Sequence, residues 1–249
     1  MDRRQKQKEA QHRRGQRLLA IQSQNTAIQL AGALDHFGIT KAVLGWVMNE
    51  FAKSVLPLPD EAACGAGCSW CCHLMVETSI PELLVIHEAF SAQVPPEMMI
   101  ALTTRLEKLA HAGELCDEDT WSLNQLPCPF IDEANGCLIY AVRPFACRAH
   151  HSLEMESCRR GYDEKAPVLI PSFPLYRRNT ELYSRVFINV MEEKGFASFS
   201  VGFIKGISML VEKPELADAW LQKEDVFGPA RVRKRGAALK ISPSFEGRD

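Results

Sequence analysis

Cys64-Gly65-Ala66-Gly67-Cys68-Ser69-Trp70-Cys71-Cys72-His73 is the stretch on which the reading of the whole chain turns. Four thiols fall within nine residues, and the glycines between the first two let the backbone turn tightly. Gaps of two and three residues let one loop present several sulfurs to a common centre, the arrangement used for tetrahedral zinc and for iron–sulfur clusters. Soft thiolates disfavour magnesium and calcium. Neighbouring side chains diverge, so adjacent Cys71 and Cys72 suit two metal centres, or one centre and a second role, better than one tetrahedral ion.

Outward from this loop, Cys128-Pro129-Phe130, Cys137, Cys147 and Cys158 follow, and with Cys116 they complete a total of nine cysteines, all in the central part of the chain. Cys116, alone in Glu-Leu-Cys-Asp, reads as a bystander. The expected metal ligands are therefore Cys64, Cys68, Cys71, Cys72, Cys128, Cys137, Cys147 and Cys158, enough for two four-thiolate sites. Zinc and an iron–sulfur cluster both fit this donor set. Reduced core cysteines are the competing reading, but a glycine-interrupted cluster is not a core stripe; a Cys71–Cys72 disulfide would be strained. Four thiolates around zinc leave a local negative charge that Arg143, Arg148, Arg159 and Arg160 stand close enough in sequence to offset. His73, His150 and His151 abut ligand cysteines and are read as supporting or surface groups, His87 as a packing residue, and Trp70 as a shield or a plain contact.

The rest of the chain is that of an ordinary globular protein, with 46% hydrophobic and 24% charged residues. A net charge of −2 argues against nucleic acid as partner. No apolar run approaches a membrane span, and the charged, Gln-rich start is not a secretory signal, so a reducing cytoplasm is expected, where clustered cysteines hold metal more often than disulfides. Apolar spacing predicts helices from Leu18 to Phe37, with Gly38 as stop, and from Thr40 to the Pro57/Pro59 pair. Ser79 and Glu82 form a capping box for a helix over 80–92, and another helix follows over 96–111. A short hairpin is predicted between Pro127 and Arg143. Beyond it come a short helix over 152–160, an extended strap over 168–174, and helices over 176–194, 196–211 and 214–223. The expected fold is mainly α, a helical domain wrapped around a cysteine-rich metal-binding centre with one short β-hairpin. A basic arm would occupy 1–17, the domain 18–225 with the cysteine module at about 60–160, and a basic, mobile tail 226–249.

The combined pattern Cys64-x3-Cys68-x2-Cys71-Cys72, Cys128-Pro129-Phe130 and Cys137-x-Ile139-Tyr140-x2-Arg143-Pro144-x2-Cys147-Arg148 resembles the YkgJ-like cysteine cluster family, with Ser152 and Cys158 continuing it. The resemblance implies chelation of zinc or iron by these cysteines and no settled activity. A more distant relative with a similar cluster, the flagellin lysine methylase, is associated with a four-iron cluster and methyl transfer. Cys64-x3-Cys68-Ser69-Trp70-Cys71 is also similar to the three-cysteine loop of radical S-adenosylmethionine enzymes, but the alternating strands and helices of a barrel are missing from the pattern. The expected function is a metal-binding protein whose one assigned partner is the metal ion. The alternatives are a metal- or iron–sulfur-dependent enzyme of redox or group-transfer type, or a redox or metal-handling protein; no Ser-His-Asp set, phosphate loop or dinucleotide fingerprint names a reaction.

Overall fold

A computed structural model describes residues 3–55, 58, 60–65, 67–115, 118–165 and 168–232. Cys116, Pro57, Pro59 and residues 233–249 lie outside the described residues, and with them most of the expected basic tail.

The described residues form ten helices and one two-stranded sheet, so the chain is mainly α. Helix α1 (Arg3–Phe37) includes the polar stretch read as an arm; its inner face buries Thr26, Leu30 and Leu34. It stops where Gly38 takes φ +80°, a conformation open to glycine, while the Gly38 N–H still donates to the Leu34 carbonyl at 3.0 Å. Thr40 then caps α2 (Lys41–Ser54), its hydroxyl accepting from Val43 N–H at 3.2 Å.

Helix α3 (Ile80–Gln93) is the centre of the core. Ile80, Leu83, Leu84, Val85, Ile86 and Phe90 are all buried, an all-round apolar pattern that only an enclosed helix can carry. The predicted capping box is present, with the Ser79 hydroxyl taking Glu82 N–H and the Glu82 carboxylate taking Ser79 N–H. Helix α3 packs on α2 and on α9 (Phe203–Glu212), which also covers α4 (Pro96–Leu115). Gly206 of α9 lets Leu83 approach: a Cβ there would fall 2.3 Å from Leu83 Cδ1. Helix α8 (Pro174–Glu193) lies against α1 on one side and α6 (Phe145–Ala149) on the other. Three short helices complete the set: α5 (Glu118–Leu123), α7 (Met155–Asp163) and α10 (Leu216–Leu221).

Strands depart from the sequence reading. Between Pro127 and Arg143 there is no extended hairpin but a single antiparallel bridge, Ile131 to Cys137. The Asp132 carboxylate gathers Ala134 N–H at 2.9 Å and Gly136 N–H at 2.6 Å into a tight turn, and the backbone then rolls into a 3-10 turn at Tyr140–Val142 before a ladder can extend. The sheet pairs strands distant in sequence, β1 (Glu77–Ser79) and β2 (Ser200–Gly202), antiparallel with Thr78 opposite Val201. Because Ser200–Gly202 is taken by this pairing, the helix expected from Phe196 begins only at Phe203. The stretch after Val226 is anchored for as far as it is described: Phe227 is fully buried, and Val232 N–H donates to the Ser200 carbonyl at 3.0 Å. No helix among the described residues is long and apolar enough to cross a membrane.

Candidate metal centre

The first cysteine loop is built from two consecutive tight turns. Cys68 N–H donates to the Gly65 carbonyl at 3.2 Å with Gly67 at φ +79°, and Cys72 N–H donates to the Ser69 carbonyl at 2.9 Å in the 3-10 turn Trp70–His73. Three contacts join this loop to segments far along the chain. Cys128 N–H donates to the Cys72 carbonyl at 2.7 Å, Ala63 N–H to the Ser152 carbonyl at 2.8 Å, and the Ser69 hydroxyl to Asn135 Oδ1 at 3.3 Å. Helix α6 supplies Cys147 and α7 supplies Cys158. The eight described cysteines are free thiols, so Cys71 and Cys72 are not joined as a disulfide.

The thiols group into two overlapping neighbourhoods. In the first, the charges of Cys71, Cys128 and Cys137 all act on half-buried Cys147, and Arg143 opposes them. Burial pushes Cys128 up to about 12 and raises Cys137 and Cys147 as well. In the second, Cys64, Cys71 and Cys158 act on Cys68, whose pKa burial raises; burial also raises Cys158, against the pull of the Ser152 hydroxyl. Ser152 N–H donates to Cys64 Sγ at 3.3 Å, so one residue touches two thiols of this group. Cys71 belongs to both neighbourhoods, and its hydrogen bond to the Cys72 thiol, ahead of burial, holds it strongly protonated. Among the described residues no three Cys, His, Asp or Glu side chains are gathered tightly enough to hold an ion as they stand. The donors fit a thiophilic metal in kind, and those whose pKa is raised are protonated at neutral pH, so loading such a site expels their protons.

The arginines divide sharply. The Arg143 charge lowers Cys71, Cys137 and Cys147, its guanidinium lies 4.1 Å from the Tyr140 ring centroid, and its Nε is buried without a partner. Arg148 instead donates to the Arg143 carbonyl at 3.1 Å and to that of Ala141, fixing the shape of the loop before α6. Arg159 pairs with Glu156 and Asp163 on the surface of α7. Two contributions to the site had no signal in the sequence. Arg105 of α4 donates to the carbonyls of Pro129 at 2.9 Å and Ile131 at 3.2 Å, bracing the Cys128 loop. Buried Glu82 accepts Phe145 N–H at 2.9 Å and so pins the start of α6.

The histidines differ as well. His151 has both ring nitrogens engaged, Nδ1 against the Ala149 carbonyl at 3.0 Å and Nε2 accepting from Phe173 N–H at 2.7 Å, which leaves no lone pair for a metal. His73 sets Nδ1 against the Ser69 carbonyl at 3.3 Å, with the Trp70 backbone also acting on the ring, and burial lowers its pKa; burial also lowers His150, to about 4. His87 stacks edge-on against Phe90 at 5.4 Å, a packing contact. Cys64, Cys68, Cys71 and Cys158 face a large cleft that His73 and His150 also line, whereas Cys72, Cys128, Cys137 and Cys147 lie outside its walls.

Residues 63–166 match a family described as "Putative zinc- or iron-chelating domain", of the CxxCxxCC type. The first gap here is one residue longer than that label, Cys64 to Cys68, and the Gly65–Cys68 turn with Gly67 at positive φ takes up the added residue. No curated protein and no solved structure matches the chain.

Proposed function

We propose, with residues 63–166 taken as a domain of that zinc- or iron-chelating family, that the chain binds a thiophilic metal through all eight cysteines, in two sites. Cys128, Cys137 and Cys147, completed by Cys72 or Cys71, form the enclosed site, with Arg143 offsetting its charge. Cys64, Cys68 and Cys158, completed by the other member of the Cys71–Cys72 pair, form the site that faces the cleft. The observation that carries this reading is the joining of the first cysteine loop to two remote cysteine-bearing stretches, by the Cys72–Cys128 and Ala63–Ser152 backbone hydrogen bonds. The influence of Cys71 on thiols of both neighbourhoods supports sharing this pair between two centres.

Zinc in such sites supplies structural cross-linking; an iron–sulfur cluster supplies electron storage. Anaerobic purification followed by elemental analysis and a visible spectrum separates the two. Near-stoichiometric zinc with no visible band supports zinc, and a brown protein with sulfide-dependent absorption supports a cluster. A correctly folded, reduced protein that takes up neither metal refutes the proposal.

An enzymatic role is the second reading, favoured by one feature: four of the thiols stand on the wall of an open cleft. A site that only braces the fold has no need of such access, whereas a reacting one requires it. His73, whose pKa burial lowers, lines this cleft and is the proton-handling group nearest the first cysteine loop in sequence.

A further inference from the structure

The cleft beside Cys64, Cys68, Cys71 and Cys158 is lined over most of its extent by groups that metal chelation does not use. Its volume of about 1070 Å³ is at the upper end for small-molecule sites. One wall is a single face of α8, where Arg177, Glu181, Ser184, Arg185 and Ile188 recur at helical spacing. The lining also includes Glu77 and Thr78 of β1 and Ser200 of β2, together with apolar Leu74, Met75 and Ile170.

Both carboxylates of the lining are already engaged: Glu181 accepts from Arg177 Nε at 2.8 Å, and Glu77 accepts from the Ser200 hydroxyl at 2.7 Å. The Arg185 guanidinium has no protein partner among the described residues, nor has the Lys165 ammonium. Two hydroxyls of the lining are also unsatisfied. Thr78 is 2% exposed with Oγ1 unpartnered, and Ser184 Oγ is buried without a partner. Buried hydroxyls in folded proteins almost always find a hydrogen bond, so two unsatisfied hydroxyls on residues that line one cleft point to a partner supplied from outside the chain.

We propose that this cleft binds a small organic oxyanion, a carboxylate or a phosphate ester, with its charge on Arg185, its polar substituents on Thr78 and Ser184, and its apolar body along Leu74, Met75 and Ile170. Arginine presents a planar fork of donors that matches either oxyanion. The site is defined by α8 and the sheet, and it does not depend on which metal, if any, the thiols hold.

Calorimetric titration of the full chain with benzoate and with phenyl phosphate tests this, since the two share an apolar body and differ only in the anion; benzyl alcohol is the uncharged control. Saturable binding of either anion, absent for the alcohol, is expected, and the preferred anion names the ligand class. Arg185→Ala should weaken it about tenfold or more, the loss of one charge-assisted contact, while Arg178→Ala on the same helix outside the cleft should leave it unchanged. Thr78→Val should raise the melting temperature by removing an orphan hydroxyl and yet weaken binding, a pairing that a purely structural threonine does not produce. Metal content, read by elemental analysis on the same samples, should stay constant, so loss of metal speaks only to the thiol sites. No saturation by either anion, equal losses in the two arginine variants, or a Thr78→Val protein with unchanged binding would overturn the assignment.

Discussion

Glu82 connects the core to the cysteine site, and its removal tests that connection. Its carboxylate is completely buried, and three donors converge on it: Ser79 N–H at 3.0 Å, the Ser79 hydroxyl at 2.6 Å and Phe145 N–H at 2.9 Å. The first two cap α3; the third crosses 63 residues of sequence to hold the start of α6, two residues before Cys147. Hydrogen bonds to a charged group contribute roughly 1.5–3 kcal/mol each, and a stranded buried donor costs about 1–3 kcal/mol. Glu82→Gln keeps one carbonyl oxygen and turns the other position into a donor, so one side of the junction is lost, at about 1.5–3 kcal/mol. Glu82→Ala strips both sides and should cost about 3–5 kcal/mol, a large part of the roughly 5–15 kcal/mol that holds a typical domain. Urea titration of the metal-free proteins, read as a shift in midpoint at constant slope, measures both values. The ordering Ala worse than Gln worse than wild type is expected, with weakened metal uptake at the enclosed site in Glu82→Gln. A Glu82→Ala protein within about 1 kcal/mol of wild type would refute the claim that this carboxylate fastens α6 to α3.

The metal-free chain should lose stability on the alkaline side. An unfolded thiol titrates near 9.0, whereas burial holds Cys128 at about 12 in the folded chain. Below pH 9 both states keep the proton and this group gives no dependence; above it the unfolded state releases a proton that the folded state retains, so stability falls by up to about 1.4 kcal/mol per pH unit until the folded pKa is reached. Urea midpoints between about pH 8 and 11 read this slope, and a flat profile would contradict it. If the thiols serve two sites, Cys147→Ala and Cys158→Ala each remove about half of the bound metal and the double variant removes the rest; complete loss in either single variant indicates one shared site. Gly206→Ala places a Cβ 2.3 Å from Leu83 Cδ1 and should cost about 1–3 kcal/mol by forcing α9 away from α3, seen as a lower melting temperature with unchanged metal content.

Local chemistry made much of this protein readable. The Gly38 stop, the Thr40 cap and the Ser79–Glu82 box are each settled within four residues, and all three occur where the sequence places them. Elements that depend on remote partners were not legible. Residues 200–202 carry no distinctive strand signal and extend because Glu77–Ser79 lies beside them, which delays the helix expected from Phe196. Conversely, Cys137–Tyr140 is β-prone but has no second strand to pair with, and the Asp132 turn closes too tightly for a ladder. Helix α6 is one turn and a half, too short for periodicity to register, and it exists because Glu82 and α8 hold it.

Cysteine spacing by itself marks a candidate soft, all-sulfur donor set, because the number of bonds between thiols on one loop limits how far apart they can lie. Helical class followed from apolar spacing in the same direct way. Only the folded chain decided which distant thiols neighbour one another, that Cys71 stands between two groups, that His151 has no lone pair to give, and that four of the eight described cysteines look onto a cleft. Those outcomes depend on contacts between residues tens of positions apart, set by how α3, α6 and α8 pack, and no local pattern encodes packing between remote helices.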